Sequence, residues 1–402
     1  MANPLQALRL EELRERTSTK WRRYPADVLP LWVAEMDVPL AEPLVDAVTD
    51  AMRRGDTGYA DHATYAEAMA AFAANRWGWT FDLADSALVP DVMLGIVEVL
   101  KLVSSGGDAV VVNSPVYTPF YQFVGNLGRR VVESPLTPGH RIDFKDLEAT
   151  FARERPAAYL LCSPHNPTGT VHTREELEAV GRLAGEYDVR VVVDEIHAPL
   201  VYPDAIHVPY LSLPTSQDAF ALLSASKGWN LAGLKAALAV AGEAATTELR
   251  AMPEEVSHGA SHVGVIAHRA ALLSCAGWLD DLLAGLDENR HLLASLLEEY
   301  LPEVGYRLPE ATYLAWLDCR PIGLEDDPAE VFLQRGQVAV VPGPSFGTGG
   351  TGHVRLNLAT SREVLEEAVR RMASAVSRDE EQSQAAAGLA GRSRGVRMRR
   401  GR

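Results

Sequence analysis

The sequence predicts an α/β protein with a large domain, built on a mainly parallel sheet flanked by helices, and a smaller α+β domain. Between residues 86 and 243, short apolar runs alternate with helix-like stretches, which is the pattern of a sheet covered on both faces. After about residue 276 the pattern changes to one long amphipathic segment and several short strand-like runs. The length of 402 residues also exceeds what one hydrophobic core usually supports.

Near-continuous apolar runs are the predicted strands of the large sheet. Helix-like stretches such as LGIVEVLKLVSS and TREELEAVGRLAGEYD lie between most of them. The second of these stretches begins with Thr173, three residues before Glu176, and that spacing is typical of a capping box. The predicted strands are 109–113, 157–162, 189–196, 219–226 and 236–242.

The smaller domain begins with GWLDDLLAGLDENRHLLASLLEEYLP, whose leucines recur at helical spacing. The runs ATYLAWLDC, VAVVPGPSFG and HVRLNLAT follow it, and a further helix is predicted from Ser361. At the other end of the chain, NPLQALRLEELRERTSTKW is interpreted as one amphipathic, charged helix. Residues 379–402 contain almost no bulky apolar side chains and end in a basic run, so we predict a disordered basic tail.

Composition and charge restrict the classes of protein to which the chain can belong. Hydrophobic residues make up 47% and charged residues 23%, as in ordinary globular proteins. The formal net charge of −16 argues against binding to nucleic acid or to anionic membranes. No apolar run approaches membrane-spanning length, and the N-terminus lacks the apolar run of a signal peptide, so we expect a cytoplasmic protein. Cys162, Cys275 and Cys319 are too few and too scattered for a disulfide framework.

The segment SASKGWN places Lys227 just past an apolar strand and among small hydroxyl residues. One interpretation is an ordinary surface lysine. The other is an amine that forms an imine with a carbonyl cofactor. In that case Ser224 and Ser226 offer hydroxyls to a phosphate, and Lys235 offers a positive charge.

Two further polar residues follow predicted strands. Asp194 ends the apolar run VVVD, at the sheet edge where open α/β proteins bind ligands. It is either a solvated or helix-capping carboxylate, or a partner that keeps a pyridine nitrogen protonated. Asn166 lies in CSPHNPTGT, which predicts a tight turn. It either serves the turn alone or donates a hydrogen bond to a phenolic oxygen of a cofactor.

Three other patterns in the sequence are weak. GPSFG (343–347) fits a nucleophile elbow and GTGGTG (347–352) fits a dinucleotide-binding loop, but both motifs require a helix next, and HVRLNLAT predicts a strand. His258, His262 and His268 share one helix-like region without an HExxH pattern. We therefore predict no nucleotide loop, no serine nucleophile and no metal site.

Taken in order, Asn166, Asp194 and Lys227 resemble the fold-type I enzymes that use pyridoxal 5′-phosphate (PLP), the aspartate aminotransferase superfamily of class I/II. The resemblance covers residues from about 8 to 376. It implies PLP on Lys227, a homodimer with active sites at the subunit interface, and a small domain made from both chain ends. The domains implied are an N-terminal segment joining the small domain (1–45), a large PLP-binding domain (46–275), a small domain (276–378) and the tail (379–402).

The resemblance also implies roles for residues outside the three strand ends. Tyr117 stacks on the pyridine ring, and the backbone at Val92 and Met93 binds the phosphate at a helix N-terminus. Tyr59 reaches the phosphate of the partner subunit's cofactor. Arg355, in VRLN, grips the α-carboxylate of an amino-acid substrate.

Within the superfamily, LPLWVAEMDVPLAEPLVDAV and DEIHAPL resemble the cystathionine β-lyase (C–S lyase) branch typified by the bacterial MalY and PatB proteins. His197 stands beside the cofactor, where many aminotransferases carry tyrosine, and Ala34 in WVAEMD is assigned to the substrate. Glu35 and Val38 depart from the usual WVADMDFP of the branch. Lys235 stands where many relatives have arginine.

The expected activity is the cleavage of cystathionine or related cysteine S-conjugates to thiol, pyruvate and ammonia. Lys227 is expected to remove the Cα proton before the thiolate leaves Cβ. The alternative is a PLP-dependent class I/II aminotransferase, which shares the early steps. A third possibility is a regulator that retains the fold without catalysis, and the intact Lys227 argues against it.

Overall fold

The computed structural model describes residues 3–377, so the predicted tail, 379–402, lies outside the described residues. The described residues form a mixed α/β structure with sheets of seven, four and two strands. The strands in chain order are β1 (Leu29–Pro30), β2 (Ser86–Val89), β3 (Ala109–Val112), β4 (Arg130–Glu133), β5 (Ala158–Cys162), β6 (Arg190–Asp194), β7 (Phe220–Leu223), β8 (Ala237–Ala241), β9 (Gly305–Tyr306), β10 (Leu314–Asp318), β11 (Val338–Ala339), β12 (Val341–Pro342) and β13 (His353–Asn357).

Helices cover most of the remaining chain. The predicted capping box opens α8, where Thr173 and Glu176 exchange side chain-to-backbone hydrogen bonds of 3.2 and 2.8 Å. The helices are α1 (Leu10–Arg14), α2 (Thr19–Arg22), α3 (Glu42–Arg54), α4 (His62–Trp77), α5 (Val92–Val103), α6 (Pro119–Asn126), α7 (Phe144–Glu154), α8 (Arg174–Tyr187), α9 (Thr246–Leu249), α10 (His262–Ser274), α11 (Ala276–Tyr300), α12 (Pro328–Gly336) and α13 (362–377).

The large sheet has the strand order β2-β8-β7-β6-β5-β3-β4. All its neighbours pair in parallel except β8, which runs antiparallel to both β2 and β7. The predicted α/β class with a mainly parallel sheet is therefore confirmed. The apolar runs that were predicted to be strands correspond to the five inner strands of this sheet, β3, β5, β6, β7 and β8. The edge strands β2 and β4 were not named, because edge strands are half-exposed and lack a continuous apolar run.

Alternate side chains of the inner strands enter cores on opposite faces of the sheet. Val110 and Val112 pack with α5 and α6, whereas Val111 packs with α7 and α8. In the same way, Leu160 lies on the first face and Tyr159 on the second. Because both faces of the sheet are buried, a ligand can reach it only at the ends of its strands, and in such sheets ligands bind at the carboxyl ends of the parallel strands.

The N-terminal segment packs against the C-terminal part of the chain. Strand β1 pairs in parallel with β11, and the smaller sheet has the order β12-β13-β10-β9. The prediction of one N-terminal helix is wrong, since α1 and α2 are short and separate. Ser18 donates a hydrogen bond to Glu35, and Lys20 forms a fully buried ion pair of 2.7 Å with Asp37. Both contacts join residues 17 positions apart, so the local sequence pattern does not show them, and they bend the N-terminal segment.

The bounds of the domains given from the sequence stay a prediction.

Within residues 3–377, no helix combines the length and the apolar character needed to cross a membrane. Cys162, Cys275 and Cys319 are buried, free thiols.

Candidate active site

A cavity of about 240 Å³ lies at the carboxyl ends of the central strands. The strands β5, β6 and β7 are parallel, with Cys162 opposite Asp194 and Asp194 opposite Leu222, so their ends meet at one edge. Ten residues that the sequence analysis selected line the cavity, and they are Ala34, Val92, Met93, Tyr117, Asn166, Asp194, His197, Ser226, Lys227 and Lys235.

Lys227 lies on the turn after β7 and is partly buried. Its Nζ donates a hydrogen bond of 2.9 Å to the carbonyl oxygen of Ala34. Burial lowers the pKa of the amine to about 8, and the positive charge of Arg355 acts in the same direction, whereas Asp194 opposes both. An unprotonated amine, the form that attacks a carbonyl group, is therefore accessible close to neutral pH.

Asp194 is the last residue of β6 and is buried. Its Oδ1 accepts a hydrogen bond of 3.0 Å from the backbone N–H of Ile196. Burial raises the pKa of Asp194 to about 6, although the N–H of Ile196 and the charge of Lys227 oppose the shift. At pH 7 the cavity therefore contains a buried carboxylate, which stabilises a positive charge placed beside it.

Asn166 and Arg355 hold each other in place. Arg355, in β13, donates hydrogen bonds of 3.0 Å to Asn166 Oδ1 and 3.1 Å to the carbonyl oxygen of Trp32, and its guanidinium lies 5.1 Å from the ring centre of Phe346. The side chain is buried, and its Nε has no hydrogen-bond partner among the described residues. Burial lowers the pKa of Arg355 to about 10, so it stays a cation at pH 7. Arg355 is not itself one of the residues that line the cavity.

Two ring side chains contribute neutral surfaces. Burial raises the pKa of Tyr117 to about 12. Burial lowers the pKa of His197 well below its usual value, and the nearby charges of Lys227 and Arg355 add to this effect. Both rings are therefore uncharged at pH 7, as expected of groups that pack against a flat aromatic ligand.

The other end of the cavity is formed by the start of α5 and by the segment after β7. Val92 and Met93 lie in the first turn of α5, and Ser226 and Lys235 line the same cavity. Backbone N–H groups at a helix start attract anions, so this end suits a phosphate. Ser224 was expected here but does not line the cavity. Its hydroxyl donates a hydrogen bond to the Ala236 carbonyl oxygen at 2.8 Å and accepts one from the Ser226 N–H.

Tyr59 lies outside the cavity of its own chain. Its side chain is 83% exposed, and its ring centre lies 5.5 Å from that of His258. The role assigned to it from the sequence involves a partner subunit and stays a prediction.

Comparison with known proteins gives the family. The model of "Aminotransferase class I and II" matches residues 26–372. The chain belongs to this family. It is 54% identical over 396 residues to the "Putative cystathionine beta-lyase" of Mycobacterium tuberculosis (strain H37Rv), a match that covers 92% of this chain and 97% of the relative.

A second relative and a solved structure agree with this assignment. The cystathionine beta-lyase of Corynebacterium glutamicum is 36% identical over 369 residues, covering 91% of this chain and 98% of the relative. The structure of the PLP-bound C-S lyase from Staphylococcus hominis has a TM-score of 0.82 and 27% identity, and covers 90% of this chain and 96% of that one.

The cavity fits the cofactor of this family. PLP has an aldehyde, a ring nitrogen, a phenolic oxygen and a phosphate. The amine of Lys227 can form an imine with the aldehyde, and the carboxylate of Asp194 can pair with the protonated ring nitrogen. The amide of Asn166 can donate a hydrogen bond to the phenolic oxygen. The start of α5 suits the phosphate. The free Nε of buried Arg355 leaves a donor for the carboxylate of an amino acid.

Side chains that were not predicted from the sequence hold residues 33–36, the segment whose Ala34 carbonyl oxygen accepts the hydrogen bond from Lys227. The Tyr313 hydroxyl donates to the same Ala34 oxygen as Lys227, at 3.0 Å. Asn357 donates to the carbonyl oxygens of Val33 and Glu35 at 2.8 and 2.7 Å.

Asn230 also holds this segment. Its Oδ1 accepts a hydrogen bond of 2.8 Å from the N–H of Met36, and its Nδ2 donates one of 3.0 Å to the carbonyl oxygen of Met36. Its φ of 59° lies in the left-handed region that asparagine tolerates. The position of Asn230 three residues after Lys227 was visible in the sequence, but its distant partner was not.

Proposed function

We propose that this chain is a PLP-dependent carbon–sulfur β-lyase that cleaves cystathionine or related cysteine S-conjugates to a thiol, pyruvate and ammonia. The observation that carries the proposal is the Lys227 amine in one cavity with Asp194 and Asn166, next to buried Arg355. Relatives named cystathionine beta-lyase, which match almost the whole chain, support the choice of reaction.

The cofactor and the protein have separate tasks. When bound, PLP supplies an aldehyde that links to an amine and a ring that withdraws electrons from the substrate Cα. Asp194 keeps the ring nitrogen protonated, because a buried carboxylate favours a positive charge beside it. Asn166 donates a hydrogen bond from its amide to the phenolic oxygen, while its Oδ1 accepts from Arg355.

Lys227 would be the catalytic base when its amine is not linked to PLP. The hydrogen bond from its Nζ to the carbonyl oxygen of Ala34 would orient the amine, and its pKa of about 8 suits removal of the proton from the substrate Cα near neutral pH. Arg355 holds the substrate carboxylate through its unpaired Nε–H. This contact would fix the orientation of the substrate, and therefore of its Cα–H bond, relative to the Lys227 amine, and the thiolate would leave Cβ with the electrons of the C–S bond.

The active unit in this proposal is a cytoplasmic homodimer with active sites at the subunit interface. Tyr59 supports it, since an 83% exposed tyrosine beside His258 suits a contact with a second subunit. The proposed domains are 1–45 with 276–378, and 46–275, in agreement with the pairing of β1 and β11.

An assay with L-cystathionine tests the reaction. The purified protein, supplied with PLP but with no 2-oxo acid, is expected to release pyruvate and free thiol in equal amounts. Lys227→Ala should release neither, whereas Asp143→Asn, at the N-cap of α7 and not among the residues that line the cavity, should match the wild type. Absence of pyruvate together with amino transfer to an added 2-oxo acid would instead establish an aminotransferase.

A further inference from the structure

An ion pair lies at the phosphate end of the cavity. Lys235 Nζ is 2.7 Å from Asp91 Oδ2, and both residues line the cavity beside Val92 and Met93. Asp91 is also the N-cap of α5, where its Oδ1 accepts a hydrogen bond of 2.8 Å from the backbone N–H of Leu94. Its carboxylate therefore lies at the anion-attracting start of the helix and is paired with a lysine at the same time.

A phosphate at this end experiences opposing effects from the two side chains. The start of α5 and the Lys235 ammonium attract it, whereas the Asp91 carboxylate repels it and competes for Lys235. Lysine offers a single point charge, which the two anions must share. The side chains of Lys235 and Asp91 are 53% and 25% exposed, so water partly screens these interactions.

We propose that Asp91 is a positioning residue that ties Lys235 to the start of α5 and lowers the affinity of the site for the phosphate of the cofactor. The inference rests on the proposed function, because it takes PLP to be the ligand. The link to Lys227 and the backbone N–H groups of α5 are then the main attachments of the cofactor. PLP exchanges more readily from this site than from one with an unpaired cation.

Asp91→Asn tests the inference, because asparagine keeps the N-cap acceptor and removes the charge. The Lys227→Ala background separates the phosphate contacts from the covalent link. In that background we expect Asp91→Asn to lower the Kd for PLP and for inorganic phosphate about two- to fivefold, the range typical of one exposed ion pair. Equilibrium dialysis measures both constants, and the gain should shrink as salt is added.

Two further variants separate electrostatics from folding. Asp143→Asn changes another N-cap aspartate, which accepts from the N–H groups of Lys145 and Asp146, and it should leave both constants unchanged. Lys235→Met leaves Asp91 without its cation, so PLP should bind more weakly. Adding Asp91→Asn to Lys235→Met should restore part of the loss, which a purely structural role for Asp91 does not predict.

The binding measurements test the role of Asp91 separately from the proposed lyase function on which it rests. If Asp91→Asn binds PLP and phosphate no more tightly than its parent, the inference is wrong and the proposed lyase stands. If the wild-type protein does not bind PLP, the proposed function and the inference both fail.

Discussion

Lys227 is surrounded by charges that its own segment does not supply. Arg355 comes from β13 and Asp194 from β6, and both act on the pKa of the amine, the first lowering it and the second raising it. The local sequence therefore predicted where the lysine lies, whereas its acidity depends on residues that only the fold brings together.

The pH dependence of cofactor capture tests this environment. Only the unprotonated amine attacks an aldehyde, so the rate at which the apoprotein captures PLP should rise with pH through about 8 and level off above it. Stopped-flow absorbance measures the rate. Arg355→Met removes a neighbouring positive charge, which raises the pKa of Lys227, so the midpoint should move to higher pH. An unchanged midpoint in this variant would show that Arg355 does not act on the amine.

The charge of Asp194 is expected to matter more than its shape. Asp194→Asn keeps the size of the side chain and removes the charge that, in the proposed function, holds a ring nitrogen protonated, so kcat/KM for cystathionine should fall about a hundredfold or more. Asp194→Glu keeps the charge and should retain more activity than Asp194→Asn. Equal activity of the wild type and Asp194→Asn in a pyruvate assay would remove Asp194 from the mechanism.

At the scale of residues, the sequence predicts positions that depend on local patterns and does not predict contacts between distant residues. Asn166, Asp194 and Lys227 follow strands whose apolar character is local, so their shared position at one sheet edge was predictable. Tyr313 bonds the Ala34 carbonyl oxygen across 279 positions of sequence, and no local pattern encodes such a contact. Asp91 is an intermediate case, since an aspartate before an apolar helix is a recognisable N-cap.

At the scale of elements, the approach of α5 to the large sheet determines where the phosphate end lies. Gly95 allows this approach, because a Cβ there would lie 2.8 Å from Leu222 Cδ1 and 2.8 Å from Val89 Cγ2. Both neighbours are buried side chains of the sheet. The helix start at Val92 is thus positioned by a small residue one turn further along.

Gly95→Ala should therefore destabilise the protein and weaken cofactor binding together. Overpacking costs about 1–3 kcal/mol, which exceeds the gain in helix propensity. The helix must shift, so the Kd for PLP should rise. Gly185→Ala is the matched control, because Gly185 in α8 has nothing within 4 Å of its added Cβ and should gain up to about 1 kcal/mol. Thermal unfolding measures both changes. A Gly95→Ala protein as stable as the wild type would contradict the packing argument.

The inner strands of the sheet were predictable and the edges were not. Inner strands are buried on both faces, so their sequences are continuously apolar, as in β3 with every residue buried. The edge strand β4 begins and ends with charged residues, Arg130 and Glu133, and its residues are exposed or half-buried. The N-terminal helix was mispredicted because the buried pair of Lys20 and Asp37 overrides local helix propensity.

At the scale of the whole molecule, the segment 32–36 joins the parts of the chain that form the site. Lys227 and Asn230 hold it from the side of the large sheet, and Tyr313 and Asn357 from the smaller sheet. The position of the Lys227 amine therefore depends on contacts that assemble only when the whole chain folds.

The proposed homodimer predicts that two impaired variants complement each other. Lys227→Ala removes the amine of its own site, and Tyr59→Ala removes a phosphate contact from the site of the partner. A mixed dimer contains one site with both changes and one site with neither. Refolding the two variants together at limiting PLP should give more lyase activity than the sum of the activities of the two variants alone. No recovery, in a mixture that light scattering shows to be dimeric, would mean that Tyr59 does not act across the interface.

The most direct test of the central claim is to trap the cofactor and locate it. The protein is incubated with PLP, reduced with borohydride, digested and analysed by mass spectrometry. We predict that the PLP-derived group is attached to Lys227, and that prior addition of L-cystathionine reduces the labelling. Attachment to Lys235 or to another lysine, with Lys227 unmodified, would contradict the account of this site.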